Sequence, residues 1–112
     1  MKQLESKLQI SCVTWFRMQY PSLVMWSVPN GGKRSVVTAT ILKREGALAG
    51  VADLFLRYPS KTYHGLFIEM KIGNGVQSDS QKDFEKQCKK FGYKYEVCYS
   101  FDQFVKIINE YL

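Results

Sequence analysis

Two short apolar runs in this chain carry charges where buried strands ordinarily have none. Val51-Ala52-Asp53-Leu54-Phe55-Leu56 and Leu66-Phe67-Ile68-Glu69-Met70-Lys71 have the length and apolar character of strands. The connection between them, Arg57 to Gly65, is polar and contains Pro59, so the pair reads as a long hairpin. Side chains alternate between the two faces of a strand. Leu66, Ile68 and Met70 therefore share one face, and Phe67, Glu69 and Lys71 the other. Glu69 and Lys71 then project together, about 6.6 Å apart along the strand. In the first run, Asp53 sides with Phe55, opposite Leu54 and Leu56. Any sheet built from these strands must place two carboxylates and one ammonium among apolar neighbours. Such charges are rarely buried unless paired or bound to metal.

The surrounding pattern alternates helix and strand. At about 100° per residue, Leu4, Leu8, Cys12, Trp15 and Phe16 fall on one arc, so residues 3–19 are expected to be helical until Tyr20-Pro21. Leu23 to Val28 reads as a short strand, and Pro29-Asn30-Gly31-Gly32 as a loop. Residues 35–45 are β-branched, yet Val37, Ile41 and the ending Lys43-Arg44-Glu45-Gly46 favour a helix with a glycine stop. Ser78-x-x-Gln81 is a capping-box pattern that opens a helix running to about Phe91, where Gly92 ends it. Tyr95 to Tyr99 is expected as a strand. Ser100-x-x-Gln103 then caps a last helix, with Phe101, Phe104, Val105, Ile108 and Leu112 as its stripe. The order α-β-α-β-β-α-β-α predicts an α/β domain with a mixed central sheet.

The chain has 112 residues, which suits one domain over 1–112. Its hydrophobic content of 46% is too high for a disordered chain. The formal charge of +6 favours an anionic partner, most often nucleic acid. Three widely spaced cysteines, with no C-x-x-C pair, suggest neither a disulfide framework nor a zinc site. Cys12 and Cys88 lie on helical stripes and read as small core residues. No signal-peptide pattern opens the chain and no run is long enough to span a membrane, so a cytoplasmic location is the default.

Glu-x-Lys by itself carries little. Glu5-Ser6-Lys7 also matches, but on a helix, where the two side chains do not share a face. Only Glu69-Met70-Lys71 ends an apolar strand that follows another strand with its own embedded acid. The bland alternative is an Asp–Lys–Glu ion-pair brace. The chemical reading is a hard-cation site, with oxygen ligands from Asp53 and Glu69 suited to Mg²⁺ or Mn²⁺. Such an ion activates water and neutralises phosphodiester charge, while Lys71 positions or deprotonates that water.

Asp53, a spacer of fifteen residues and then Glu69-Met70-Lys71 resembles the PD-(D/E)xK nuclease motif. Pro29-Asn30-Gly31-Gly32, Gly46-x-x-x-Gly50-Val51-Ala52-Asp53, Phe67-Ile68-Glu69-Met70-Lys71, Ser78-x-x-Gln81 and Gly92-Tyr93 together resemble the virus-type replication-repair nuclease (VRR-NUC) family over nearly the whole chain. Ala52 stands where a proline commonly precedes the aspartate. The resemblance implies a PD-(D/E)xK restriction-endonuclease-like fold and Mg²⁺-dependent cleavage of DNA. It also implies two further catalytic residues, Glu5 and Gln81, and metal contacts from the Met70 backbone carbonyl and, through water, from Glu5. Independently, Glu5 falls at about 140° on the helical wheel, inside the apolar arc, where a carboxylate calls for a cation. An acid in the first turn also suits the helix dipole. Gln81 fits the capping box, but lies on the stripe with Cys88 that turns toward the sheet.

Asn30, Lys33, Arg34, Lys43 and Lys82 are the candidate DNA contacts, chosen for charge or for their place beside the glycine loop. His64, in a polar loop, has no partner at catalytic spacing. A compact stand-alone member of this superfamily resembles the Holliday-junction resolvases. A two-fold junction suits a homodimer with two sites, expected to be encoded by a phage and to act in a bacterial host. The expected partners are thus branched or double-stranded DNA and a second copy of the chain, with no membrane and no organic cofactor. The alternatives are a nuclease for flaps, ends or nicked duplex, and a non-catalytic basic DNA-binding module. In the latter, Asp53→Ala and Glu69→Ala would lose stability. In a catalytic site, stability without metal would be unchanged or raised, because crowded carboxylates repel.

Overall fold

The computed structural model describes residues 3–29 and 35–112. The elements follow the expected order: α1 (Gln3–Gln19), β1 (Met25–Ser27), α2 (Val36–Arg44), β2 (Leu54–Leu56), β3 (Leu66–Met70), α3 (Asp79–Lys90), β4 (Lys94–Cys98) and α4 (Phe101–Tyr111). The four strands lie side by side in the order β1-β2-β3-β4. β1 and β3 each run antiparallel to β2, with Trp26 opposite Phe55 and Phe55 opposite Phe67. β4 is parallel to β3, with Glu69 opposite Val97. That parallel pair needs a crossover, which α3 provides.

Alternation along the central strands separates two cores. Leu54, Leu56, Leu66, Ile68 and Met70 face α1 and α4, where they meet Cys12, Phe16, Phe104 and Ile108. Burying each such side chain contributes roughly 1.5–3 kcal/mol. The opposite face carries Phe55 and Phe67, and packs Ala52, Tyr95 and Cys88 against Phe84 of α3. All three cysteines are buried and free. No helix among the described residues is long and apolar enough to cross a membrane.

The structure departs from the sequence pattern at several edges. The strand expected over 51–56 is confined to Leu54–Leu56. Asp53 drops out of the ladder because its side chain, not a backbone carbonyl, takes the Met70 N–H. The strand expected over 23–28 is shortened to Met25–Ser27, and the one expected over 95–99 lies one residue earlier. On α4 the buried residues are Phe104, Ile107, Ile108 and Tyr111, so Phe101 and Val105 yield to Ile107 and Tyr111. The hairpin loop sets that rotation. Tyr111 donates its hydroxyl to the Tyr58 carbonyl at 2.6 Å, while Ser60 and Lys61 bond to the Tyr111 carbonyl.

α2 forms as the glycine-stop reading predicts, capped by Ser35, whose hydroxyl accepts the Thr38 N–H. It buries no residue. Val36, Val37 and Ile41 are exposed. A cleft of about 530 Å³ separates α2 from Val28 and Val51, which flank the start of β2.

Candidate active site

Asp53 and Glu69 are the buried charged residues among the described residues, 7% and 2% exposed. Their backbone surroundings fix them. The Val28 N–H donates to the Asp53 carbonyl at 2.8 Å, which ties the end of β1 to the start of β2. The Met70 N–H donates to Asp53 Oδ2 at 2.8 Å, so the aspartate grips the β3 residue that follows Glu69. Lys71, one residue past β3, donates its N–H to the Cys98 carbonyl at 2.9 Å. Its ammonium stands 3.7 Å from Glu69 Oε2, and its side chain is 15% exposed.

Gln81 reaches the same carboxylate from the other side. Its Nε2 donates to Glu69 Oε2 at 3.1 Å. Its Oε1 accepts the Ser78 N–H at 2.8 Å, completing the capping box of α3. The sequence left capping and site contact as competing readings of Gln81, and the structure has it do both. Gly50 makes this approach possible. It adopts φ +88°, and a Cβ there would stand 2.3 Å from the Ser80 carbonyl oxygen and 2.9 Å from the Gln81 nitrogen. The loop before Asp53 therefore lies flat on the first turn of α3. Positive φ and close backbone approach both require glycine. The glycine-rich approach to Asp53 was visible in the sequence, but its contact with α3 is a tertiary fact.

Glu69 carries the strain of this arrangement. Burial is the first cause that lifts its pKa to about 8. The negative charge of Asp53 and a hydrogen bond shared with that carboxyl add to the rise, the Lys71 ammonium opposes it, and the charge of Glu5 raises it slightly further. Among the described residues, Glu69 Oε1 is buried without a hydrogen-bond donor. The bond to Asp53 exists only while one of the two acids holds a proton. With both ionised, Oε1 has no proton to meet. Such an atom calls for a proton or a cation.

Glu5, in the first turn of α1, is half-buried and close enough to act on Glu69. No group of three or more His, Cys, Asp or Glu side chains is arranged to hold an ion among the described residues. Asp53 and Glu69 are thus the close acid pair, with Glu5 further out. The Met70 N–H also alters what Asp53→Ala tests, because that substitution strands a buried donor as well as removing a charge. Of the expected DNA contacts, Lys43 lines the cleft beside α2, and Lys82 is exposed on α3 one residue past Gln81. Asn30, Lys33 and Arg34 lie outside the described residues. His64 packs on Tyr93 and Gly92, away from the acid pair.

A mixed sheet whose adjacent central strands present a buried Asp–Glu pair, with a lysine two residues after the glutamate, has the form of a PD-(D/E)xK nuclease domain. The chain belongs to the VRR-NUC domain family, which it matches over residues 3–102. A solved structure of a "VRR_NUC domain protein" is similar across 100% of this chain and 90% of that one, with a TM-score of 0.81 and 25% identity. Among curated proteins, none matches the chain. Family membership makes this a nuclease-type domain with DNA as the implied substrate.

Proposed function

We propose that the chain is a Mg²⁺- or Mn²⁺-dependent endonuclease that hydrolyses phosphodiester bonds in branched DNA, such as a Holliday junction, as a homodimer. The observation that carries this reading is the donorless Oε1 of Glu69, buried beside Asp53. Two hard oxygen donors in a covered site suit a small divalent cation, which Asp53, Glu69 and the Met70 carbonyl would hold, with Glu5 acting through water. When bound, the ion lowers the pKa of its water and neutralises charge on the phosphodiester. Gln81 holds Glu69 Oε2 in place. Lys71 orients the attacking water and offsets the charge that develops on the phosphate oxygens. The water oxygen bonds to phosphorus as the bond to one deoxyribose oxygen breaks, the attacking water gives up a proton to solvent, and the departing oxygen takes one up from solvent.

The two-fold symmetry of a four-way junction supports the homodimer. So does α2, whose bare Val36, Val37 and Ile41 offer an apolar face to a second copy. The test is cleavage of labelled four-way junctions, flaps, nicked duplex and intact duplex with Mg²⁺ or Mn²⁺, with the oligomeric state measured by sedimentation. Junction cleavage by a dimer, abolished by Lys71→Ala, is expected. Cleavage of flaps or nicked duplex in preference would move the substrate within the same chemistry. DNA binding without cleavage under any metal would replace the enzyme with a binding module.

A further inference from the structure

A groove of about 250 Å³ runs between α1 and the open edge of the sheet at β1. Its polar walls are Ser6, Gln9, Thr14 and Arg17 from the helix and Ser27 from the strand, and Trp26 lines its rim. Its apolar lining is Val13, buried Met25 and exposed Ile10. One end lies beside the acid pair. Ser6 follows Glu5, whose charge reaches Glu69, and Ser27 pairs with Leu54, the neighbour of Asp53. Two groups that line the groove are open to a ligand. The Gln9 amide buries its Oε1 without a hydrogen-bond partner among the described residues. Arg17 forms no ion pair among the described residues, although it closes the other end of the groove.

We infer that this groove receives a nucleotide of an unpaired DNA strand next to the cleavage site. The inference rests on the nuclease reading above and adds where the single-stranded part of the substrate lies. A base has flat apolar faces and polar edges, which suits a groove lined by apolar side chains together with hydroxyl and amide groups. Once the Gln9 amide turns outward, its carbonyl oxygen accepts an exocyclic amino or ring N–H, a group that is free only when the base is unpaired. Arg17 takes the adjoining phosphate. Trp26, 42% exposed and braced edge-on against Phe55 with ring centroids 5.2 Å apart, offers an indole for stacking. Base pairing would occupy the edge that Gln9 reads, so intact duplex does not enter. Selectivity for DNA that exposes unpaired bases, such as a branch point opened at its centre, then arises from the groove rather than from the acid pair.

The test uses binding in EDTA, so it does not depend on cleavage. The chain has two tryptophans, and Trp15 packs among Tyr20, Phe101 and Phe104. Trp15→Phe therefore leaves Trp26 as the reporter. Emission is read while a single-stranded oligonucleotide, a junction with unpaired bases at its centre, and a blunt duplex of equal length are titrated in turn. Anisotropy of labelled DNA gives the affinities. Unpaired strands should quench Trp26, and the blunt duplex should not. Gln9→Leu and Arg17→Gln, made in the natural chain and checked for folding by circular dichroism, should each weaken binding to unpaired strands about tenfold and change duplex binding less than twofold. Equal quenching by duplex, equal losses for both DNAs, or no binding of unpaired strands overturns the inference. Failure of Lys71→Ala to affect cleavage would overturn the nuclease reading alone, because the binding arms contain no metal.

Discussion

Removing the charge of Glu69 should change how the stability of the metal-free protein depends on pH. In the unfolded chain this carboxyl has an ordinary value near 4.5, and in the folded protein it is raised to about 8. Below 4.5 both states hold the proton and there is no penalty. Between 4.5 and about 8 the folded state binds more protons than the unfolded state, so stability falls as pH rises. Above about 8 the full penalty is present. At about 1.36 kcal/mol per pH unit the ceiling is roughly 5 kcal/mol. Water entry and relaxation around an ionised buried carboxylate reduce that, so ~2–3 kcal/mol is the expected loss. For a domain this size that is roughly 8–12 °C in Tm. The assay is thermal unfolding by circular dichroism in EDTA at several values from pH 5 to pH 8.5. Wild type should lose most of that interval on going to the alkaline end. Glu69→Gln, which keeps the shape and the acceptor for Gln81, should remain nearly flat. Excess Mg²⁺ should restore wild type at pH 8.5 and leave Glu69→Gln unchanged. Parallel curves for the two proteins in EDTA would refute the account of Glu69 as the strained acid.

Three further outcomes follow from the same geometry. Gly50→Ala places a Cβ 2.3 Å from the Ser80 carbonyl oxygen at a positive φ, and should destabilise by about 2–4 kcal/mol in urea unfolding. Asp53→Asn keeps an acceptor for the Met70 N–H and should be at least as stable as wild type in EDTA, whereas Asp53→Ala should lose about 1–3 kcal/mol, and both should lose the stabilisation by Mg²⁺. Gln81→Glu preserves the α3 cap but replaces the donor to Glu69 with a third carboxylate. Its helix should melt as wild type does, while cleavage falls about tenfold or more, and equal activity would show that the contact with Glu69 is idle.

The element order was legible because the helices and strands carry different apolar periods and their ends carry serine caps and glycine stops. Ser35, Ser78 and Ser100 all cap the helices they precede. Even α2, rich in β-branched residues, was marked by its ending. The juxtaposition of Asp53, Glu69 and Lys71 followed from strand alternation and hairpin pairing, both local rules. What stayed hidden depends on long-range contact. The loss of Asp53 from the β2 ladder required knowing that its side chain would take the Met70 N–H. The α4 stripe shifted to Ile107 and Tyr111 because the hairpin loop holds the end of that helix from 50 residues away. Gly50 could be read as a turn, but not as the point where the Asp53 loop touches α3. Gln9 and Arg17 carried no pattern at all, since a groove is a property of two elements together.

Glutamine and glutamate are commonly interchangeable three residues after a serine cap, because either offers an oxygen to the free backbone N–H. At position 81 they are not. One end of the side chain must accept and the other must donate, across the gap between Ser78 and Glu69. Glutamate has no hydrogen to give, asparagine is too short, and lysine has no oxygen. The start of α3 and the acidic pair are therefore spliced by a single amide. Fraying of that helix turn withdraws a neighbour from Glu69, and a change in the charge of Glu69 is felt at the helix start. Backbone amide exchange in the first turn of α3 should accordingly follow the protonation of a carboxylate on another strand, so that a routine helix signal doubles as a gauge of the site.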